Sequence, residues 1–137
     1  MYTNLLVPVD LSHLERMDKA LSTAAKLAQT FDASVTYLGV GSGSPSGPGR
    51  TPEEFGEHLK RFARGEGEKH GLETNAHPVI VHDPAVELDH AILQAAQDGN
   101  ADLIVMASHV PGIPDHFFSS HGGKVATRAG ISVFVVR

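Results

Sequence analysis

Leu103-Ile104-Val105-Met106-Ala107 is apolar at every position, and Leu5-Leu6-Val7-Pro8-Val9 is a second run without alternation. A strand with one wet face alternates apolar and polar residues. A run that does not alternate must be covered on both faces, as in a parallel sheet lying between two layers of helices. That requirement narrows the fold more than any other feature of the chain.

The segments around these runs supply the rest. Leu14, Met17, Leu21, Ala24, Leu27, Ala28 and Phe31 recur at helical spacing and predict a helix from about Leu14 to Thr30, with Asp10 or Ser12 as its cap. Val35 to Val40 reads as the second strand. Gly41 to Thr51 carries no apolar side chain larger than proline and reads as a long loop. Thr51-Pro52-Glu53-Glu54 opens a helix to about Lys69, weakened near its end by Gly65 and Gly67. Thr74 to Val81 is a third strand, pushed to an edge by Pro78. Asp83-Pro84 opens a helix whose expected buried face is Val86, Leu88, Ala91, Ile92, Ala95 and Ala96; Gly99-Asn100 stops it. A helix from about Ser120 to Ala129 and a strand from Ser132 to Val136 follow.

Strands alternating with helices give an α/β fold: a doubly wound, five-stranded parallel sheet of order 3-2-1-4-5 with helices on both faces. One Rossmann-like domain over residues 1–137 is expected. The net charge of −5 leaves no basic footprint for nucleic acid, and no apolar run reaches a membrane-spanning length. MYTNLLVPVDLS has no basic or long apolar leader, so no signal peptide is expected. The absence of cysteine removes disulfides and thiolate chemistry.

In such a sheet, ligands bind at the carboxyl ends of the strands, where the strand order reverses. Pro8 and Asp10 stand at the end of the first strand, Gly39 and Val40 at the end of the second. Ala107, Ser108 and His109 end the fourth, and Ser119, Ser120 and His121 open the last helix beside Gly122-Gly123-Lys124. Hydroxyls and amides there suit phosphate oxygens. Each residue also has a plainer use. Asp10, Ser119 and Ser120 serve equally as helix caps, and Gly122-Gly123 as a close packing point. There is no P-loop, no dinucleotide fingerprint and no GxSxG elbow. His109, His116 and His121 fall in one region, but no metal-ligand spacing appears among the nine histidines.

The opening NLLVPVDLS, the segment HDPAVELDHAILQAA, the strand-loop ADLIVMASH and the closing ISVFVVR together resemble the universal stress protein family over essentially the whole chain. The resemblance implies the same α/β fold, of the adenine nucleotide alpha hydrolase type, and a cytoplasmic homodimer. It also implies ATP or AMP binding, with Mg accompanying ATP, and little catalysis beyond a weak ATPase. It implies a stress-response regulatory role toward a protein partner that the sequence does not name. The family's phosphate glycines fall on Ala107, Val110 and Ser119, while its following hydroxyl is kept as Ser120. Its strand-one aspartate is Asp10, and its adenine-contact strand end falls on Gly39-Val40-Gly41. The loss of those glycines keeps open an alternative: a dimeric interaction module of this fold that binds no nucleotide. In either case the strand Ile131 to Val136 is expected at an exposed edge, where pairing with a second copy would cover it.

Overall fold

The computed structural model describes residues 1–42, 51–108 and 121–137. The apolar runs become strands β1 (Asn4–Val9), β2 (Ser34–Gly41), β3 (Thr74–Ile80), β4 (Leu103–Ala107) and β5 (Ser132–Val136). All pair in parallel, in the order β3-β2-β1-β4-β5. Leu5–Val9 and Leu103–Ala107 are buried throughout, as their lack of alternation requires.

Helices α1 (Asp18–Phe31) and α2 (Pro52–His70) lie on one face. Gln29 of α1 donates its Nε2–H to the His70 carbonyl at 2.9 Å, and Tyr37 of β2 packs edge-on against Phe62 of α2 at 5.1 Å. Helices α3 (Pro84–Asp98) and α4 (Gly122–Arg128) lie on the other, joined by a hydrogen bond between Asp89 and His121. The Tyr37 hydroxyl is buried without a hydrogen-bond partner, and that burial, with Glu66 nearby, pushes its phenol above the usual range. The Glu66 carboxylate sits 3.3 Å from His70 Nε2, in ion-pair range but without hydrogen-bond geometry.

Five local expectations are corrected. The first helix begins at Asp18 rather than Leu14, because Leu14–Arg16 form a separate 3-10 turn. Neither Asp10 nor Ser12 caps it; Met17 occupies the cap position and makes no side-chain bond there. Val86 is 76% exposed. At about 100° per residue it lies about 160° around the helix from Leu88, on the far side from the buried stripe. Gly67 does not weaken α2: a Cβ there would stand 2.7 Å from Thr74 Oγ1 and 2.9 Å from the Leu72 carbonyl, so glycine is what lets β3 approach. Finally, α4 starts at Gly122 rather than at about Ser120, with His121 at its cap; Ser119 and Ser120, the expected caps, lie outside the described residues.

At the amino edge of the sheet, Asp102 fastens β4 to β1. Its carboxylate accepts from the Thr3 and Asn4 N–H groups at 2.9 and 3.0 Å and from the Thr3 hydroxyl at 3.0 Å.

Candidate functional site at the carboxyl edge of the sheet

The switch point between β1 and β4 has a chemical cause in the sequence. In a parallel strand both backbone groups of a residue face the same neighbour, and successive residues face opposite ones. The Asn4 carbonyl accepts from Asp102 N–H, so Asn4, Leu6 and Pro8 face β4. Pairing of β1 with β4 covers Leu5↔Leu103 and Leu6↔Ile104 and then ends. The next rung would run from the Val105 carbonyl to the N–H of residue 8, and proline has none. β1 continues to Val9 and β4 to Ala107, so beyond Leu6 the two central strands run on unpaired with each other. Pro8, expected near a strand end, is thus the residue that ends the ladder.

Around this fork the site residues assemble by strand. The Ser34 N–H donates to the Thr3 carbonyl, and the Gly41 carbonyl accepts from Val81 N–H. Alternation then turns Val40 toward the β1 side, just past the last paired residues, Val9↔Gly39. The backbone of Val40 therefore faces the end of β1, on the side away from β4. The glycines beside it have a packing reason: a Cβ on Gly39 would lie 3.0 Å from Leu59 Cδ2 and 3.1 Å from Phe55 Cζ of α2, and one on Gly41 2.9 Å from Ile80 Cδ1.

Asp10 follows β1 directly and is 8% exposed. Its Oδ1 accepts from Ser12 N–H at 3.0 Å and its Oδ2 pairs with His13 Nδ1 at 2.8 Å. Its own N–H meets the sulfur of fully buried Met17 at 3.2 Å, which anchors the loop. A carboxylate has room for further donors, so Asp10 keeps acceptor capacity.

On the far side of the fork, Ala107 ends β4 and is buried. The Ser108 N–H already donates to the Val136 carbonyl at 2.7 Å, so it is committed to the sheet rather than available to an anion. His121 is 6% exposed and hydrogen-bonded to Asp89, itself 7% exposed. Gly122 packs on β5: a Cβ there would stand 3.2 Å from Val135 Cγ1 and 3.9 Å from the Ser108 hydroxyl, whereas Gly123 meets nothing within 4 Å. The close-packing reading therefore applies to Gly122 alone. His109, Ser119 and Ser120 lie outside the described residues, as do Val110 and His116.

Asp89 was not among the residues singled out from sequence. It falls within the buried stripe of α3, and its partner is far along the chain, so no local pattern marks it. Among the described residues no cluster of histidines and carboxylates could hold a metal ion, and no helix is long and apolar enough to cross a membrane. A cavity of 520 Å³ lined by His90, Asn100, Arg128 and Ile131 opens at the amino ends of β4 and β5, opposite to the fork.

Comparison with known proteins gives one consistent answer. The family model of the universal stress proteins matches residues 1–137. Universal stress protein G of Salmonella typhimurium is 30% identical over 148 residues, covering 100% of each chain. Among solved structures, a universal stress protein from Archaeoglobus fulgidus in complex with dAMP superposes with a TM-score of 0.71 at 21% identity, covering 99% of this chain and 98% of that one. A universal stress protein in complex with cAMP superposes at 0.69 with 20% identity, covering 99% and 97%.

Proposed function

The chain belongs to the universal stress protein family, and from that premise we propose that it binds an adenine nucleotide, AMP or ATP, at the fork between β1 and β4. The observation that carries the proposal is the ladder interrupted at Pro8 on one side of β1, with the Val40 backbone turned toward the end of β1 on the other. A gap in a ladder leaves backbone polar groups that water or a ligand must satisfy. Val40 would meet the edge of the base, and Asp10 would accept from ribose hydroxyls. Ala107, the Ser108 hydroxyl and His121 would line the phosphate path with His109, Ser119 and Ser120.

The residues fit the nucleoside more completely than the phosphates. Val40 and Asp10 offer acceptor capacity around the end of β1, whereas the Ser108 amide is already bound to Val136. The complexes of two relatives with dAMP and cAMP support the ligand class. When ATP is the ligand, Mg would be held by its phosphate oxygens and water. We place the protein in the cytoplasm as a regulatory or interaction protein of the stress response, without strong catalysis.

The same reading includes a homodimer through β5. That strand is a sheet edge, and Phe134 on it is 45% exposed. An apolar edge of this kind is stable when a second copy pairs with it.

Isothermal titration with AMP and ATP tests the ligand. Saturable binding with a raised melting temperature is expected. No heat and no melting shift at millimolar nucleotide would overturn it, and would favour the interaction module to which the committed Ser108 amide points.

A further inference from the structure

The Asp89–His121 pair is built more thoroughly than helix packing alone requires. The side chains are 10% and 7% exposed, so each is nine-tenths buried. Asp89 Oδ1 holds His121 Nδ1. A carboxylate only accepts, so it fixes the proton of that bond on Nδ1 and sets the ring's orientation. The other ring nitrogen, Nε2, points roughly the opposite way, away from α3, and has no hydrogen-bond partner among the described residues. The next residue, Gly122, brings this turn against Val135 and the Ser108 hydroxyl, at the carboxyl edge of the sheet.

We propose that His121, positioned by Asp89, contacts the phosphate of the bound nucleotide through Nε2 and shares one proton with it. The proposal rests on nucleotide binding at the fork. A phosphate monoester is almost fully ionised at about pH 8, so a hydrogen bond to it needs a proton between Nε2 and the phosphate oxygen. In contact, one proton sits between Nε2 and a phosphate oxygen, whichever group brings it. Binding of AMP then draws a proton from the buffer, with no covalent bond made or broken. Adenosine, which lacks the phosphate, draws none.

Among the described residues, the surroundings leave this exchange to the dyad. Asp89 is the titratable group that α3 turns to the ring. At the contact with α4, β4 and β5 contribute Ser108 and Val135, neither of which titrates. Lys124 on α4 is exposed, and Asp10 on the β1 side is paired with His13.

The test is calorimetry of the intact protein with AMP and with adenosine at about pH 8, each in two buffers of different ionisation enthalpy. AMP binding is expected to take up a large fraction of a proton and adenosine binding none. His121→Gln should abolish the AMP uptake and weaken AMP about ten-fold, the effect of losing one charge-assisted bond. Asp89→Asn, which keeps the shape but not the charge, should diminish the uptake. AMP binding without uptake in the unaltered protein, or with undiminished uptake in His121→Gln, would overturn the role of His121 and leave nucleotide binding standing. Failure of both ligands to bind would instead remove the nucleotide proposal and this one with it. Nitrogen-15 NMR of the unaltered protein gives a second readout, independent of variant folding. The His121 Nε2 resonance should move with AMP and not with adenosine, and an unmoved resonance would overturn the contact.

Discussion

Replacing Asp89 with alanine is expected to destabilise the protein by about 1.5 to 3 kcal/mol, the cost of losing a hydrogen bond to a buried carboxylate and leaving the imidazole N–H without its partner. Its size follows from burial: Asp89 and His121 are 7% and 6% exposed, so water screens the pair little and cannot replace the lost partner cheaply. The figure is the penalty of leaving the ring unpaired, not the net worth of the pair. A domain of this kind has roughly 5 to 15 kcal/mol in total, so the loss is between about a tenth and three fifths of it. With a urea slope of about 2 kcal/mol per molar, the midpoint should fall by about 0.8 to 1.5 M. For 137 residues the unfolding entropy is about 0.3 kcal/mol/K, so the melting temperature should fall by about 5 to 10 °C. The decisive comparison is the double substitution Asp89→Leu with His121→Leu. Exchanging both partners for apolar side chains leaves no orphaned polar group and should cost far less than the sum of the single changes. Urea unfolding followed by circular dichroism on the parent, Asp89→Ala, the two single leucine variants and the double variant measures this. A loss under about 1 kcal/mol for Asp89→Ala, or additive single effects, would refute the reasoning.

Other consequences can be checked with the same assay. Gly65→Ala and Gly67→Ala, on one helix, should have opposite signs. Nothing lies within 4 Å of a Cβ at Gly65, so alanine there gains up to about 1 kcal/mol of helix propensity, whereas at Gly67 the contact with Thr74 and the Leu72 carbonyl outweighs that gain. Two stabilising results would contradict the packing seen between α2 and β3. Burial raises the Asp102 carboxyl, but the donors on Thr3 and Asn4 outweigh it and hold the group below its usual value. Its stabilisation is therefore present above the unfolded value of about 4 and fades as pH falls through the lower folded value. Asp102→Asn should be less stable than the parent at neutral pH, with the difference shrinking in acid. A difference that is constant with pH would count against it.

The strands were legible because burial on both faces leaves its mark on every residue. Leu103 to Ala107 was bounded correctly from its unbroken run, and order 3-2-1-4-5 followed from handedness alone. Helix phase was less secure. Val86 is apolar and close to the stripe in sequence, yet the geometry of the turn puts it outside. Asp10 illustrates a different limit. A cap and a tight side-chain turn use the same atoms, and only the position of α1, set by buried Met17, decides for the turn with Ser12 and His13. The carboxyl-edge location of Pro8, Asp10, Val40, Ala107, Ser108 and His121 followed from topology. The Asp89–His121 bond did not, because it joins two helices whose relative placement is a property of the packed sheet. Nor was the commitment of the Ser108 amide to Val136 readable, since it depends on β5 register.

The missing donor at Pro8 also has a mechanical side. β3, β2 and β1 form one continuous ribbon, and β4 with β5 another. Their ladder is stitched at Leu5–Leu6, riveted below by Asp102, and tied again where the Tyr2 hydroxyl donates to Ser132 Oγ. Past that seam the ribbons hold together by packing rather than by backbone bonds, since Val7, Val9, Val105 and Met106 are buried. A single imino acid in the first strand thus sets how far the sheet's two ribbons are bonded to one another.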